Sequence, residues 1–68
     1  MNSNLLRAEI VKKGMTHAEV AKQMGVTAKT FSLKLKKGSF GVDEANKLIE
    51  LLEIEKPLDI FFPKKATQ

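Results

Sequence analysis

Cysteine, tryptophan and tyrosine are all absent from this 68-residue chain, and histidine occurs only once. Without cysteine, neither a disulfide framework nor a cysteine-based zinc site can contribute to stability. Without tryptophan or tyrosine, the chain is poorly supplied with rings for stacking single-stranded bases. One histidine, with no HExxH motif and no glycine-rich phosphate loop, leaves nothing from which to build a nucleophile–base pair. We therefore expect no enzymatic activity, no metal, no cofactor and no small-molecule substrate.

Long apolar runs are absent too. No segment approaches the roughly 20 residues that a membrane-spanning helix needs, and the first ten residues, MNSNLLRAEI, lack the pattern of a signal peptide. The composition, 43% hydrophobic and 29% charged, is that of a globular protein, and the length allows one domain. We expect a cytoplasmic protein without membrane contact, with one domain at residues 1–62 and a flexible tail at residues 63–68.

Apolar residues recur at helical spacing, and no segment alternates apolar and polar residues as a strand would. Turn signals divide the chain into five short segments of this kind. The clearest pattern repeats at i, i+3, i+4 and i+7, in the order Ala45, Leu48, Ile49 and Leu52. The sequence therefore predicts an all-α fold of five short helices.

The boundaries of the second and third helices are well marked. Thr16, followed three residues later by Glu19, has the pattern of a capping box. Gly25 ends that helix, and Thr27 is the expected N-cap of the next one, which reaches about Lys37 before Gly38. Pairs of helices joined by such a tight glycine-containing turn form the helix-turn-helix unit.

Charge is distributed unevenly along the chain, whose formal net charge is +4. Residues 20–42 contain five lysines and no acidic residue, whereas residues 43–59 contain six acidic residues and two lysines. A protein polarised in this way is oriented by its own field on a charged partner, here a polyanion. The alternative interpretation is that these lysines form an ordinary solvated surface.

The segment MTHAEVAKQMGVTAKTFSLKL resembles the helix-turn-helix of the lambdoid phage repressor and Cro family, also called XRE-type. The resemblance extends over about residues 4–62. Ala21 matches the small residue between the two helices, Gly25 the turn glycine, Val26 the buried turn residue and Phe31 the aliphatic position of the next helix. The chain departs from the family at Leu35, which follows Phe31 by four positions instead of three.

This resemblance implies a sequence-specific transcriptional regulator that binds double-stranded DNA, is encoded by a bacterium or phage, and is more like Cro than a full repressor. The recognition helix, about residues 27–37, would lie in the major groove. The protein would bind a two-fold operator as a homodimer, formed either in solution or only on DNA. The segment LDIFF has more apolar bulk than one short helix buries on one side, so the expected dimer seam is Ile60, Phe61 and Phe62.

Helical spacing turns Phe31 and Leu35 inward and leaves the opposite face of the third helix for base edges. Lysine can donate to guanine, serine can donate or accept, and apolar side chains can touch a thymine methyl. The expected base-reading residues are therefore Ala28, Lys29, Ser32 and Leu33. A lysine at the positive end of a helix costs about 0.3–1 kcal/mol, which a nearby phosphate or guanine offsets. Alternatively, Lys29 is merely exposed, and Leu33 contacts nothing or contacts a protein.

Groups that flank this helix are the candidates for holding phosphates. They comprise the start of the second helix, the N-cap of the third and the residues at its end: Thr16, His17, Thr27, Lys36, Lys37 and Ser39. Helix N-termini attract anions, and lysines neutralise phosphates. Thr16 and Thr27 also have a sufficient role as caps, and His17 has an alternative interpretation as an ordinary surface residue.

A protein-interaction adaptor, or an antitoxin-like module, is the main alternative function, since fold does not determine function. In that case LDIFF would bind another protein. RNA binding is a third possibility, although RNA readers usually stack splayed bases on aromatic side chains.

Overall fold

Five helices account for most of the residues that the structure, a computed structural model, describes. It describes residues 1–62, so the tail expected at residues 63–68 lies outside the described residues. The helices are α1 (Ser3–Lys12), α2 (His17–Met24), α3 (Ala28–Lys37), α4 (Val42–Leu52) and α5 (Pro57–Phe61). Residues 1–62 contain no strand. The prediction of an all-α fold with five short helices is confirmed.

Side-chain caps start α1, α2 and α3. Asn2 Oδ1 accepts from the N–H of Leu5 at 3.1 Å. At α2 the expected capping box is present, because Thr16 Oγ1 accepts from the N–H of Glu19 at 3.1 Å and Glu19 Oε1 accepts from the N–H of Thr16 at 2.8 Å. The Thr27 hydroxyl caps α3. These bonds satisfy donors that have no acceptor within the helix, so local sequence sets where the three helices begin.

Two glycines end α2 and α3. Gly25 and Gly38 have φ angles of +78° and +67°, in the left-handed region where a β-carbon is strained. At Gly25 the backbone turns so that its own N–H donates to Lys22 O and the N–H of Val26 donates to Ala21 O. This is the usual end of a helix at glycine. Val26 is half-buried in the turn and packs against the core.

The core lies where the inward faces of all five helices meet. Its fully buried large side chains are Phe31, Leu6, Ile10, Leu35, Leu48 and Val20. Phe31 of α3 is the largest of them, and its ring centre lies 5.6 Å from that of Phe40 and 5.8 Å from that of His17. No polar or charged residue among residues 1–62 is buried. Burial of α3 along Phe31 and Leu35 leaves its opposite face exposed.

The position of Ile60 differs from the expectation from sequence. The sequence predicts that Ile60 lies with Phe61 and Phe62 in an exposed dimer seam, but its exposure is 3% and it belongs to the core. Its carbonyl also accepts from the N–H of Asn2 at 2.7 Å. The reason is that α5 packs against α1 and the start of the chain with Ile60 toward the core. Residues 58 and 62, four apart, then share the opposite face. That face carries Leu58 and Phe62, each 66% exposed, while Phe61 is half-buried.

Candidate nucleic-acid interface

Helices α2 and α3 form a helix-turn-helix unit around a short turn. The turn is Gly25, Val26 and Thr27, and α3 has most of its contacts with α2. Ala21 of α2 is buried in the same core as Phe31 of α3. Packing against α2 therefore contributes to holding α3 in place.

The outward face of α3 carries three of the four residues expected to read bases. Lys29, Ser32 and Leu33 are exposed and, with Lys36, follow the i, i+3, i+4, i+7 spacing of a single helix face. Ala28 is exposed as well, but it lies three residues before the buried Phe31, on the other side of the first turn. The structure thus brings Lys29, Ser32 and Leu33 together on one surface, while the contact of all four residues with DNA stays a prediction.

Three of the four lysines on α3 form no ion pair within residues 1–62. Lys29, Lys36 and Lys37 are exposed and have no ion-pair partner among residues 1–62. Positive charge on this face is therefore not neutralised by the part of the chain that the structure describes. Such a surface attracts a polyanion by an electrostatic, sequence-independent term.

Lys34 is the exception on α3. Its Nζ atom lies 2.6 Å from Glu44 Oε2 in α4, and both side chains are about one-third or less exposed. The hydrogen bond from Lys34, together with the N–H of Gly41 on Glu44 Oε1, lowers the pKa of the Glu44 carboxyl below its ordinary value. Sequence reasoning missed this pair because it counted Lys34 within an acid-free stretch. The signal was the short loop from Gly38 to Gly41, which brings the start of α4 back to α3.

The predicted phosphate-binding residues differ in what else they do. Thr27 Oγ1 accepts from the N–H of Thr30 at 3.1 Å and donates to Thr30 Oγ1 at 3.0 Å, so its hydroxyl is occupied by capping. The Thr16 hydroxyl accepts within the capping box. Ser39 is exposed directly after α3, and its N–H donates to Lys34 O at 3.0 Å. With Lys36 and Lys37, Ser39 places three exposed polar groups at the end of α3.

His17 lies at the start of α2, next to α3. Its ring meets the ring of Phe31 edge-on, with an angle of 78° between the two planes, and the residue is half-buried. The capping box leaves the N–H groups of His17 and Ala18 without an acceptor inside the helix. His17 therefore has a packing role in addition to any contact with an anion.

A second exposed surface is apolar and lies on α4 and α5. We call it the α4–α5 surface, defined by Val42, Ile49, Leu58, Phe61 and Phe62. It contains a groove of about 220 Å³ whose lining includes no charged residue. Val42, Leu58 and Phe62 are among the most exposed large apolar side chains in residues 1–62. Contiguous exposed apolar patches mark interaction sites more often than scattered apolar residues do.

The chain matches no protein-family model, no curated protein and no solved structure. Within the part of the chain that the structure describes, no helix is long and apolar enough to cross a membrane. Two surfaces distinguish the described residues: the cationic outward face of α3 and the uncharged α4–α5 surface.

Proposed function

We propose that this protein is a transcriptional regulator of the phage repressor and Cro type that binds double-stranded DNA sequence-specifically through α3. One observation carries the proposal. The second helix of a helix-turn-helix unit presents Lys29, Lys36 and Lys37 on its exposed side without any acidic partner in residues 1–62. A helix with such a face is suited to the major groove, which is about 12 Å wide and admits one α-helix.

The polar and apolar side chains of α3 suit base edges. Lys29, in the first turn, lies where recognition helices approach the bases most closely. It can donate to O6 or N7 of guanine, and Ser32 can donate or accept. Ala28 and Leu33 offer apolar contact to a thymine methyl. A half-site that contains guanine and thymine is therefore expected.

Phosphate contacts would fix the register of α3 in the groove. At the end of α3, Lys36, Lys37 and Ser39 can hold the backbone on one side. The free amides at the start of α2 can hold it on the other side. Thr16 and Thr27 are weaker candidates than these groups, because their hydroxyls already serve as caps.

A homodimer would place two recognition helices on a two-fold operator. The uncharged α4–α5 surface is suited to self-association, since a two-fold interface brings the same patch of both copies together and like charges there would repel. Phe62 and Leu58 project from this surface next to its groove. The surface is contributed by only two short helices, so we expect a weak dimer that forms mainly on DNA.

An adaptor that binds another protein is the second candidate. The same α4–α5 surface favours it, because an apolar groove accepts an apolar segment of any partner as well as a second copy. The two candidates differ in the role of α3. In an adaptor, the lysines of α3 would bind duplex DNA no more tightly than any basic surface does.

Matched lysine substitutions test the proposal. Lys37→Ala should weaken binding to every duplex similarly and reduce the slope of log affinity against log salt by about one unit. Lys47→Ala is the matched control, because it removes one charge from an exposed lysine on α4, outside the helix-turn-helix unit, so the slope should change much less. Fluorescence anisotropy over a salt series measures both. Equal effects of the two variants would contradict a DNA surface on the outward face of α3.

A further inference from the structure

Side chains from two other parts of the chain hold the C-terminal end of α3. Ser3 Oγ donates to the carbonyl oxygen of Leu35 at 2.7 Å, across 32 residues of sequence. Lys34 Nζ donates to Glu44 Oε2 at 2.6 Å. Leu35, which accepts the first bond, and Lys34, which donates the second, are both among the last four residues of α3. The end of α3 is thereby tied to the start of α1 and to the start of α4.

Glu44 uses both of its carboxylate oxygens. Oε2 accepts from Lys34, and Oε1 accepts from the N–H of Gly41 at 2.9 Å. Gly41 is the N-cap residue of α4 and ends the loop that follows α3. One carboxylate therefore joins the last turn of α3, the loop at residues 38–41 and the first turn of α4. That loop contains Ser39, and it directly follows Lys37.

We infer that Glu44 is a positioning residue for the DNA-contact surface: acting through Lys34, it fixes the end of α3 and the loop that carries Ser39. This inference rests on the proposed DNA-binding function. Glu44 itself does not touch DNA. It is an acid close to a cationic surface, yet it contributes to DNA binding because it orders the groups that hold the DNA backbone.

The physical reason is that sequence-specific DNA binding requires more precise positioning of α3 than non-specific binding does. Sequence-specific binding requires Lys29 and Ser32 to meet particular base edges, which phosphate contacts at the end of α3 keep in register. Non-specific binding is electrostatic and tolerates small displacements. Loss of the link between Lys34 and Glu44 should therefore lower specific affinity more than non-specific affinity.

The experiment compares affinities for two duplexes: one that the wild-type protein selects from a random DNA pool, and one of scrambled sequence. Glu44→Gln and Lys34→Met each remove the ion pair, and Lys34→Arg retains it. The matched control is Glu53→Gln, which removes the other ion pair of residues 1–62, Lys13 to Glu53 at 2.9 Å, away from α3. Circular dichroism at the assay temperature verifies that every variant is folded.

The specific-to-scrambled affinity ratio should fall about three- to tenfold in Glu44→Gln and in Lys34→Met, toward the lower end of the coupling found between two residues in contact. Combining these two substitutions should add little, since both remove the same link. Lys34→Arg and Glu53→Gln should keep the wild-type ratio. An unchanged ratio in Glu44→Gln, with sequence-specific binding by the wild type, overturns the inference alone. A wild type without sequence-specific binding overturns the proposed function and the inference together.

Hydrogen exchange in the free protein supplies a readout without DNA. The N–H groups of Gly38 and Ser39 donate to Leu35 O and Lys34 O. If Glu44 orders this end of α3, both amides should exchange several-fold faster in Glu44→Gln than in wild type, and at the wild-type rate in Glu53→Gln. Exchange that is equally fast in wild type and Glu44→Gln contradicts the inference.

Discussion

The imidazole ring of His17 stands edge-on to the phenyl ring of Phe31, with 5.8 Å between the ring centres. This contact joins the first residue of α2 to the middle of α3. It gives His17 a role in holding the helix-turn-helix unit together, and it also places the ring beside the N–H groups that are candidates for a phosphate.

Replacing His17 by phenylalanine separates these two roles. The variant keeps an aromatic ring against Phe31, so stability in urea should stay close to wild type. Affinity for DNA should fall for all sequences, because the ring no longer carries a donor for phosphate. His17→Ala is the companion variant and should lose about 0.5–1.5 kcal/mol of stability with the aromatic pair. Unchanged DNA affinity in His17→Phe would leave His17 with the packing role alone.

Lys29→Ala tests base reading at the start of α3. Specific binding should weaken by about 1–3 kcal/mol, and preference at one base position should relax. The physical reason is the loss of a donor to guanine at the end of the helix that lies closest to the bases. Selection experiments on wild type and variant measure the change in preference. If Lys29→Ala weakens binding to all sequences equally and leaves the base preference unchanged, Lys29 contacts a phosphate and not a base.

Phe62→Lys tests the α4–α5 surface. A charge placed on each copy repels its counterpart across a two-fold interface, so cooperative binding to a two-half-site operator should decrease. Binding to an isolated half-site should be nearly unaffected or slightly stronger, because of the added positive charge. Val11→Lys is the matched control, since Val11 is 74% exposed on α1 and outside this surface. Gel-shift titrations on both duplexes give the comparison. Equal cooperativity in the two variants would exclude the α4–α5 surface as the dimer interface.

The Lys34–Glu44 pair makes stability depend on pH. Lys34, and next the N–H of Gly41, lower the pKa of Glu44 in the folded protein from its ordinary value of 4.5. A lowered folded pKa stabilises the protein above 4.5, and this contribution is lost as pH falls through the lowered value.

Urea unfolding from about pH 7 down to about pH 3 measures this dependence. Wild type should lose more stability on acidification than Glu44→Gln, which has no carboxyl at this position. Lys13 also lowers the pKa of Glu53, but that exposed pair is present in both proteins and cancels from the comparison. Parallel pH profiles would show that the Lys34–Glu44 pair contributes nothing to folding.

Local features of the fold could be predicted from sequence. Three such features are the capping box of Thr16 and Glu19, the N-cap Thr27 and the terminal Gly25. Each depends on residues only a few positions apart, so the local sequence pattern is sufficient to predict it. Helical periodicity likewise predicted the exposed face of α3, on which Lys29 lies.

Tertiary contacts could not be predicted in the same way. Ile60 is buried because α5 packs against the start of the chain, where its carbonyl bonds to Asn2. The bond from Ser3 to Leu35 spans 32 residues. The pair of Lys34 and Glu44 depends on the path of the loop between two helices. The spacing of residues along the sequence does not indicate which distant residues meet. The Lys34–Glu44 pair and the residues that form the α4–α5 surface could therefore be identified only from the structure.

Sequence-specific binding by α3 is tested by selecting bound duplexes from a random DNA pool with the purified chain at moderate salt. We predict recovery of a palindrome whose half-sites contain guanine and thymine and are spaced by about one helical turn, roughly 10 base pairs. The Lys29→Ala protein, selected in parallel, should recover the same spacing with one base position relaxed. Recovery of no common sequence, with only salt-sensitive binding, would contradict sequence-specific recognition by α3 and favour an adaptor that binds a protein through its α4–α5 surface.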